Sequence, residues 1–458
     1  MGNTQVTENV DSLISSAMNH VVEKHSMSGT KIGWLMMASV FIEAWDLYSI
    51  SFVLVFIKQI YNPSAWLLGL ASAGTQGGAA LGCLLGGWLT DKVGRRPVFF
   101  TTMIMFVVFG FAQAFAPNVL TLAIIRIFLG LPLGADIANG FTYVMEYVQS
   151  GKREVMGNRW QFIFAAGEIC AILVTLIFIG SGLHSDLVWR IILGLSGVPA
   201  VILFILRFNL PETVIWLIQH GKFVQAKQVA TEMYNDSLDM LPNEDQKIPK
   251  VRLGMFLKEI HSDTFRFRSS FFGWLSGFCQ NAEFTTFAFY IPLLLVALKV
   301  SGIFKTDLIT LFLYIIALIS GMVGPMITPK IGQRKLSIVG FGMTFVSLVL
   351  VGIALLTNHP ILVPFIAAIF LWGHYWDAEN GMSIASAVAP AKYRGMASGF
   401  SYFWTKISGF IGLTIFPVVF SAVGNGGATL IVSLFALCGL LAAIFLLPEV
   451  YGYKKESL

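Results

Sequence analysis

Apolar runs long enough to cross a bilayer recur about twelve times along this chain, and that recurrence decides what it can fold into. A helical span takes roughly 20 apolar residues, and within lipid only helices or closed barrels satisfy every backbone polar group. Runs bounded by charge, Gly or Pro place spans 1 to 6 at 30–58, 66–90, 98–116, 119–147, 155–180 and 189–207. Spans 7 to 12 fall at 271–298, 306–329, 336–357, 361–388, 394–421 and 426–447. Only 12% of the 458 residues are charged, against about 25% in soluble domains. A periplasmic enzyme, a nucleic-acid binder and a disordered scaffold are therefore excluded, and an all-α membrane protein embedded in the lipid bilayer is expected.

Charge sets the orientation. Lys92, Arg95 and Arg96, then Lys152 and Arg153, then Lys330, Arg334 and Lys335, then Lys392 and Arg394 occupy alternate short loops. The opposite loops hold only scattered Lys58, Arg190, Lys299 and Lys305. Excess Lys and Arg on one side predicts that both termini are cytoplasmic, so the net charge of +5 reports topology and not a polyanion partner. The expected organisation is a cytoplasmic N-terminal segment over 1–29, a six-helix bundle over 30–207 and a cytoplasmic linker with helical stretches over 208–270. A second six-helix bundle follows over 271–448, then a cytoplasmic tail over 449–458. Residues 1–29 are polar and carry Asp11, Glu23, Lys24 and His25, which predicts no cleaved signal peptide. Cys83, Cys170, Cys279 and Cys438 lie inside apolar runs with no CxxC and no His neighbour. They read as packing residues, and neither a disulfide framework nor a metal site is expected.

The two bundles read as repeats. Leu210-Pro211-Glu212 ends span 6 and Leu447-Pro448-Glu449 ends span 12, while the loop after span 2 reads DKVGRRP and the loop after span 8 reads PKIGQRK. Both matches share an offset of about 238 residues, which points to the duplicated six-helix unit of many secondary transporters.

Charges inside lipid are costly and mark function by default. Here they fall on span 1 (Glu43, Asp46), span 4 (Arg126, Asp136), span 5 (Glu168), span 7 (Glu283), span 10 (Asp377, Glu379) and span 11 (Lys406). Spans 1, 4, 7 and 10 sit at corresponding places in the repeats and are expected to line one central polar path. Seven acids against two bases leave an excess that a low-dielectric cavity does not hold fully ionised, so some acids are protonated, paired or matched by a cationic ligand. Arg126 and Asp136 stand about 15 Å apart along their helix and do not pair with each other, and Asp46 at mid-depth in span 1 is the more plausible partner of Arg126.

These residues resemble the major facilitator superfamily, in the branch of sugar porters, phosphate:proton symporters and related metabolite:proton symporters. GGWLTDKVGRRP matches the loop motif between spans 2 and 3, with Gly87, Asp91, Lys92, Gly94, Arg95 and Arg96 in register. RIFLGLPLGAD, running on to Glu146, is similar to the span 4 signature, with Arg126, Gly130, Gly134 and Asp136. LPETVIWLIQHGKFVQA resembles the stretch after span 6 of sugar porters, and PAKYRGMASGFSYFWTKISGFIG resembles the span 11 segment of phosphate symporters, including Lys406. The resemblance implies twelve helices in two pseudo-repeats working by alternating access, with a gating motif of Gly87, Asp91, Lys92, Gly94, Arg95, Arg96, Glu146 and Arg153. It also implies the Asp46–Arg126 pairing.

The chain departs from both models in span 7, where CQNAEFTTFAFYIP keeps Gln280 and Tyr290 but interposes Glu283 and Thr286. Phosphate symporters carry an aspartate where this chain has Thr286, and Ala387-Val388-Ala389-Pro390 replaces the Glu-x-x-Pro after span 10 of sugar porters. Both a hexose and inorganic phosphate are weakened as substrates. The expectation is a monomeric symporter, not an enzyme and without cofactor, in the cell inner membrane, that imports a small polar organic solute with protons. A uniporter, a drug:proton antiporter and a transporter-like sensor are the alternatives. Proton coupling is assigned to Asp46, Arg126 and Asp136 with Glu43 beside them. The substrate wall is assigned to Gln161, Gln280, Asn281, Glu283, Tyr290, Asp377 and Lys406. Trp372, Trp376 and Trp404 offer rings for stacking or packing, and His374 reads as a packing histidine. With Asp46 on Arg126, only Lys406 stays free for an anion, so a neutral, zwitterionic or amine-bearing solute is favoured over phosphate or a dicarboxylate.

Overall fold

The computed structural model describes residues 2–24, 26, 28–149, 152–245, 253–289, 291, 303–390 and 393–452, and every regular element among them is helical. Eleven helices among the described residues are long and apolar enough to cross a membrane. Spans 1 to 4 are Gly29–Tyr61, Ala65–Val93, Arg95–Ala112 and Val119–Tyr147. Span 5 is Lys152–Asn158 followed by Trp160–Gly180, and span 6 is Ser185–Gly194 followed by Gly197–Arg207. Spans 8, 9 and 10 are Ile303–Ile331, Gln333–Leu356 and Val363–Val388. Arg394–Phe445 holds spans 11 and 12, divided where Gly424 takes the non-helical φ of 70°.

Helix Thr264–Glu283 takes the place of span 7 and begins earlier than the apolar pattern indicates. Asp263 accepts from the Phe265 and Arg266 amides at 2.9 and 3.3 Å, a cap that starts the helix inside the stretch expected as linker. The same helix then loosens into a π turn over Phe284–Ala288. Thr285 and Thr286 hydroxyls donate back to the Asn281 and Ala282 carbonyls, at 2.6 and 2.5 Å, competing with the regular ladder there.

Spans 2 and 4 touch through small residues. A Cβ on Gly134 would stand 2.0 Å from the Ala79 carbonyl oxygen, and one on Gly78 2.0 Å from that of Ile127. Only backbone fits at that seam, which is how helices pack where lipid supplies no hydrophobic drive.

Each repeat carries the same turn. Gly94 and Gly332 take φ of 111° and 83° between spans 2 and 3 and between spans 8 and 9. Glu212 accepts from the Arg95 and Arg96 amides at 3.1 and 3.0 Å, and Glu449 accepts from those of Gln333 and Arg334 at 2.9 and 3.3 Å. The Glu of each Leu-Pro-Glu motif is thus the N-terminal cap of the third helix of its own bundle. Burial pushes the Glu212 carboxyl up, while Arg95 and the bonded amides oppose the shift.

The linker and both described terminal segments share one face. Helix Gly2–Glu23 lies there, with Lys24 and His20 on Asp236, next to linker helices Val214–Gln219 and Phe223–Tyr234. Helix Leu253–Ser262 leads from the linker into span 7.

Candidate functional site

Between the bundles lies a cavity of about 20 Å³, the room of about one water. Glu43 and Leu47 reach it one turn apart on span 1, and Trp160, Gln161 and Phe164 from the start of span 5. Span 7 brings Gln280, Asn281 and Phe284, span 10 brings His374, and span 11 brings Tyr402, Thr405 and Lys406. Asn281 donates to the Thr405 carbonyl at 2.6 Å, fixing spans 7 and 11 together at the wall.

Of the residues that the sequence proposes for substrate, Gln161, Gln280, Asn281 and Lys406 line this cavity, and Glu43 joins them. Glu283 and Asp377 stand behind His374, and Tyr290 lies outside the described residues. Trp160, Phe164, Phe284, Tyr402 and Thr405 line the cavity without having been singled out. Charge was the search signal, and aromatic or hydroxyl side chains in apolar runs do not carry it. Trp372, Trp376 and Trp404 are not among the lining residues. Among the described residues, span 4 sends no side chain to the wall, which is built by spans 1, 5, 7, 10 and 11.

The reason is pairing. Arg126 sits on Asp46 at 3.1 Å with both side chains fully buried, and Gln113, at the end of span 3, bonds both partners at 2.8 and 2.9 Å. Asp136 is held by Arg207 at 2.9 Å, by Thr102 at 3.1 Å and by Ser39. Arg207, placed by the sequence at a span end, is fully buried and also donates to the Leu35 and Met36 carbonyls. Asp136 therefore anchors spans 1, 3, 4 and 6 of one bundle and stands away from the cavity. Lys406, expected to stay free, bonds Glu43 across the two bundles, and the Tyr402 hydroxyl donates to the same carboxylate. Two charges in a dry wall are stable only when paired, and the mid-depth acid of span 1 supplies the pairing.

His374 is not a mere packing histidine. Its Nδ1 is 3.2 Å from Glu283 Oε1 and 3.7 Å from Asp377 Oδ1, and its ring stacks between Phe284 and Phe370. Thr344 donates to the other Asp377 oxygen at 2.8 Å. On the far side of the cavity Tyr375 donates to Glu168, and Tyr314 donates to Tyr48 at 2.7 Å, both bonds crossing between bundles.

Among the described residues, contacts join the two bundles on both sides of the cavity. At the linker face Asp91 accepts from the Gly395 and Met396 amides at 3.2 and 2.9 Å and meets Arg95 at 3.3 Å. Arg95 continues to Glu146 at 2.7 Å, and a Cβ on Gly87 would stand 2.6 Å from the Gly395 carbonyl oxygen. Asn158 bonds Asn380 at 3.0 Å beside this latch. Lys92 and Arg96 lie outside it, over the Trp88 and Phe100 rings, and the side chain of Arg153 lies outside the described residues. Toward the opposite face, Tyr48 packs on Tyr314, Phe284 and Phe289, and Ser51 donates to the Phe289 carbonyl at 3.2 Å.

Two halves closing on a polar cavity is a transporter's geometry, and a family model described as "Sugar (and other) transporter" matches residues 6–458. The chain belongs to that family. It is 25% identical over 426 residues to the probable metabolite transport protein CsbC of Bacillus subtilis, spanning 90% of each chain. It is 24% identical over 429 residues to the major myo-inositol transporter IolT of the same organism, spanning 87% of this chain and 86% of that one. Among solved structures, the major facilitator superfamily proton:xylose symporter XylE superposes with a TM-score of 0.77 at 19% identity, covering 92% of this chain and 96% of that one. The twelve-helix major facilitator fold is therefore the fold of this protein, a multi-pass membrane transporter and not an enzyme.

Proposed function

We propose that the protein is a proton-coupled symporter that carries a small, neutral, polyhydroxylated solute, a monosaccharide or cyclitol, by alternating access. The observation that carries this reading is the cavity wall. Its amides, Gln161, Gln280 and Asn281, can bond hydroxyl groups, and its rings, Trp160, Phe164 and Phe284, can lie against the C–H face of a saturated ring. Its one lysine is already held by Glu43, so a dianion would meet no available cation there. The relatives agree in chemistry: a D-xylose transporter of Levilactobacillus brevis and an arabinose-proton symporter of Bacillus subtilis stand beside the inositol transporter.

In this reading Asp46 and Arg126 are the coupling pair of the N-terminal bundle. Protonating Asp46 would release the guanidinium and loosen spans 1, 3 and 4 around Gln113. Both termini then face the cytoplasm, with Asp91 closing the cytoplasmic end. The test is uptake by proteoliposomes of labelled D-xylose, L-arabinose and myo-inositol, each challenged with phosphate, succinate, an amino acid and a polyamine. Saturable uptake of at least one polyol, indifferent to phosphate and succinate and weakened in Gln161→Ala and Gln280→Ala, is expected. Uptake of no polyol, with transport of a dianion instead, would contradict the substrate class.

A further inference from the structure

Three of the N-terminal acids are held by cations, and the C-terminal pair Glu283 and Asp377 is not. Asp46 has Arg126, Asp136 has Arg207 and Glu43 has Lys406. Glu283 and Asp377 are fully buried, and Glu283 Oε2 and Asp377 Oδ1 have no hydrogen-bond partner among the described residues. One oxygen of each and one nitrogen of His374 lie within 4.8 Å of one another. The polar groups beside this trio are Thr344 from span 9, which donates to Asp377, and Cys279 from span 7. Lys406 approaches from span 11 across the cavity, where Glu43 holds it, and Glu168 stands behind Tyr375. The one cation among these, Lys406, is engaged by Glu43, and the other groups carry no positive charge.

Two carboxylates this close in a water-excluded interior cannot both stay ionised without a cation. One of the two therefore carries a proton, and the imidazole stands within reach of both. We infer that Glu283, His374 and Asp377 form a second exchangeable-proton site, in the C-terminal bundle, connected to the substrate cavity through His374. The proton leaves the carboxyl pair for His374 Nδ1, the imidazole releases its other proton from Nε2 toward the cavity, and the carboxyl pair is left with one more negative charge. Phe284 and Phe370, with centroids 4.5 and 5.8 Å from the imidazole and nearly parallel to it, keep the ring in the plane where this exchange works. Phe284 also lines the cavity and belongs to the π turn, so a solute that moves it moves the relay.

This site rests on the proton-coupled reading, and its test has one arm that needs no substrate. Infrared spectra of the purified full-length protein are recorded while pH is raised through the range where carboxyls and imidazole titrate. The parent should show a protonated-carboxyl band that disappears on titration, and Glu283→Gln and Asp377→Asn should each lose it. His374→Gln should keep the band but slow its exchange, and thermal melting of each variant checks that it folds. A parent band unchanged in both carboxyl variants would overturn the site. The second arm is accumulation driven by a pH gradient, measured with whichever polyol the parent takes up, relative to counterflow of the same polyol. Glu283→Gln should lose the ratio. A parent that never couples to protons would defeat the reading of function, whereas a coupled parent with unaltered variants would defeat this site alone.

Discussion

Arg126 has no exposed surface, and its guanidinium is compensated by the Asp46 carboxylate at 3.1 Å and by Gln113 at 2.8 Å. Breaking such a pair from one side costs about 3–5 kcal/mol, because the remaining ion is left uncompensated. Asp46→Asn should therefore lower the melting temperature sharply and abolish proton-driven accumulation. The double variant Asp46→Asn with Arg126→Gln should recover much of the melting temperature but not the accumulation. Equal melting of single and double variants would show that the pair is not what holds spans 1 and 4. The Glu212 cap is tested in the same way: a Gln offers one acceptor oxygen where two backbone amides bond, so Glu212→Gln should cost about 1 kcal/mol, and Glu449→Gln the same, by chemical denaturation. The Asp46–Arg126 pairing was legible because both residues fall at mid-depth of their spans and the family resemblance implies it, while the distance along span 4 keeps Asp136 from Arg126. The Glu43–Lys406 bond could not, since it joins residues 363 positions apart across two bundles, and no local pattern records which faces of spans 1 and 11 meet.

Among elements, the spans were plain from hydropathy and their interruptions were not. The π turn in span 7 depends on which carbonyls Thr285 and Thr286 choose, and the early start of that helix on a single Asp263 cap inside polar sequence. Helix Gly2–Glu23 was hidden for a similar reason: its polar sequence reads as a bare segment until its partner, Asp236, is known. Burial works against ionised Asp236, but Lys24, the Leu238 amide and His20 hold its carboxyl down at about 2. Its folded value lies below the unfolded one, so its contribution is present above the ordinary carboxylate range and is lost as pH falls toward about 2. At neutral pH, Asp236→Asn should release the N-terminal helix and speed trypsin cleavage after Lys24, and parent protein should show the same loosening by hydrogen exchange only in strong acid. Cleavage at the parent's rate would mean that apolar packing alone holds the helix. At the seam of spans 2 and 4, Gly134→Ala must push back the Ala79 carbonyl and should destabilise by about 1–3 kcal/mol. A variant melting like the parent would show that the seam can open.

Among the described residues, contacts join the bundles on both sides of a cavity too small for a sugar, so transport requires each set to open in turn. The linker-face seal is concentrated on one carboxylate. Asp91 accepts two amides from the other bundle, and Asn in its place offers a single weaker acceptor. Asp91→Asn should shift the population toward the state open at the linker face by about tenfold for each 1.4 kcal/mol lost, read as a longer distance between spin labels on spans 2 and 11. An unchanged distance distribution would place the seal elsewhere. Duplication and the loop motif made this two-bundle architecture legible, whereas the closed state was not, because it depends on contacts between repeats and not within them.

The measurement that bears most directly on function is solute-linked proton movement in proteoliposomes holding a pH-sensitive dye. Adding D-xylose, L-arabinose or myo-inositol outside, with no gradient imposed, should acidify the lumen for whichever polyol is carried, in step with its uptake, and a protonophore should abolish the signal. Uptake of that polyol with no lumenal pH change, or no uptake of any of the three, would contradict proton-coupled carriage of a neutral polyhydroxylated solute.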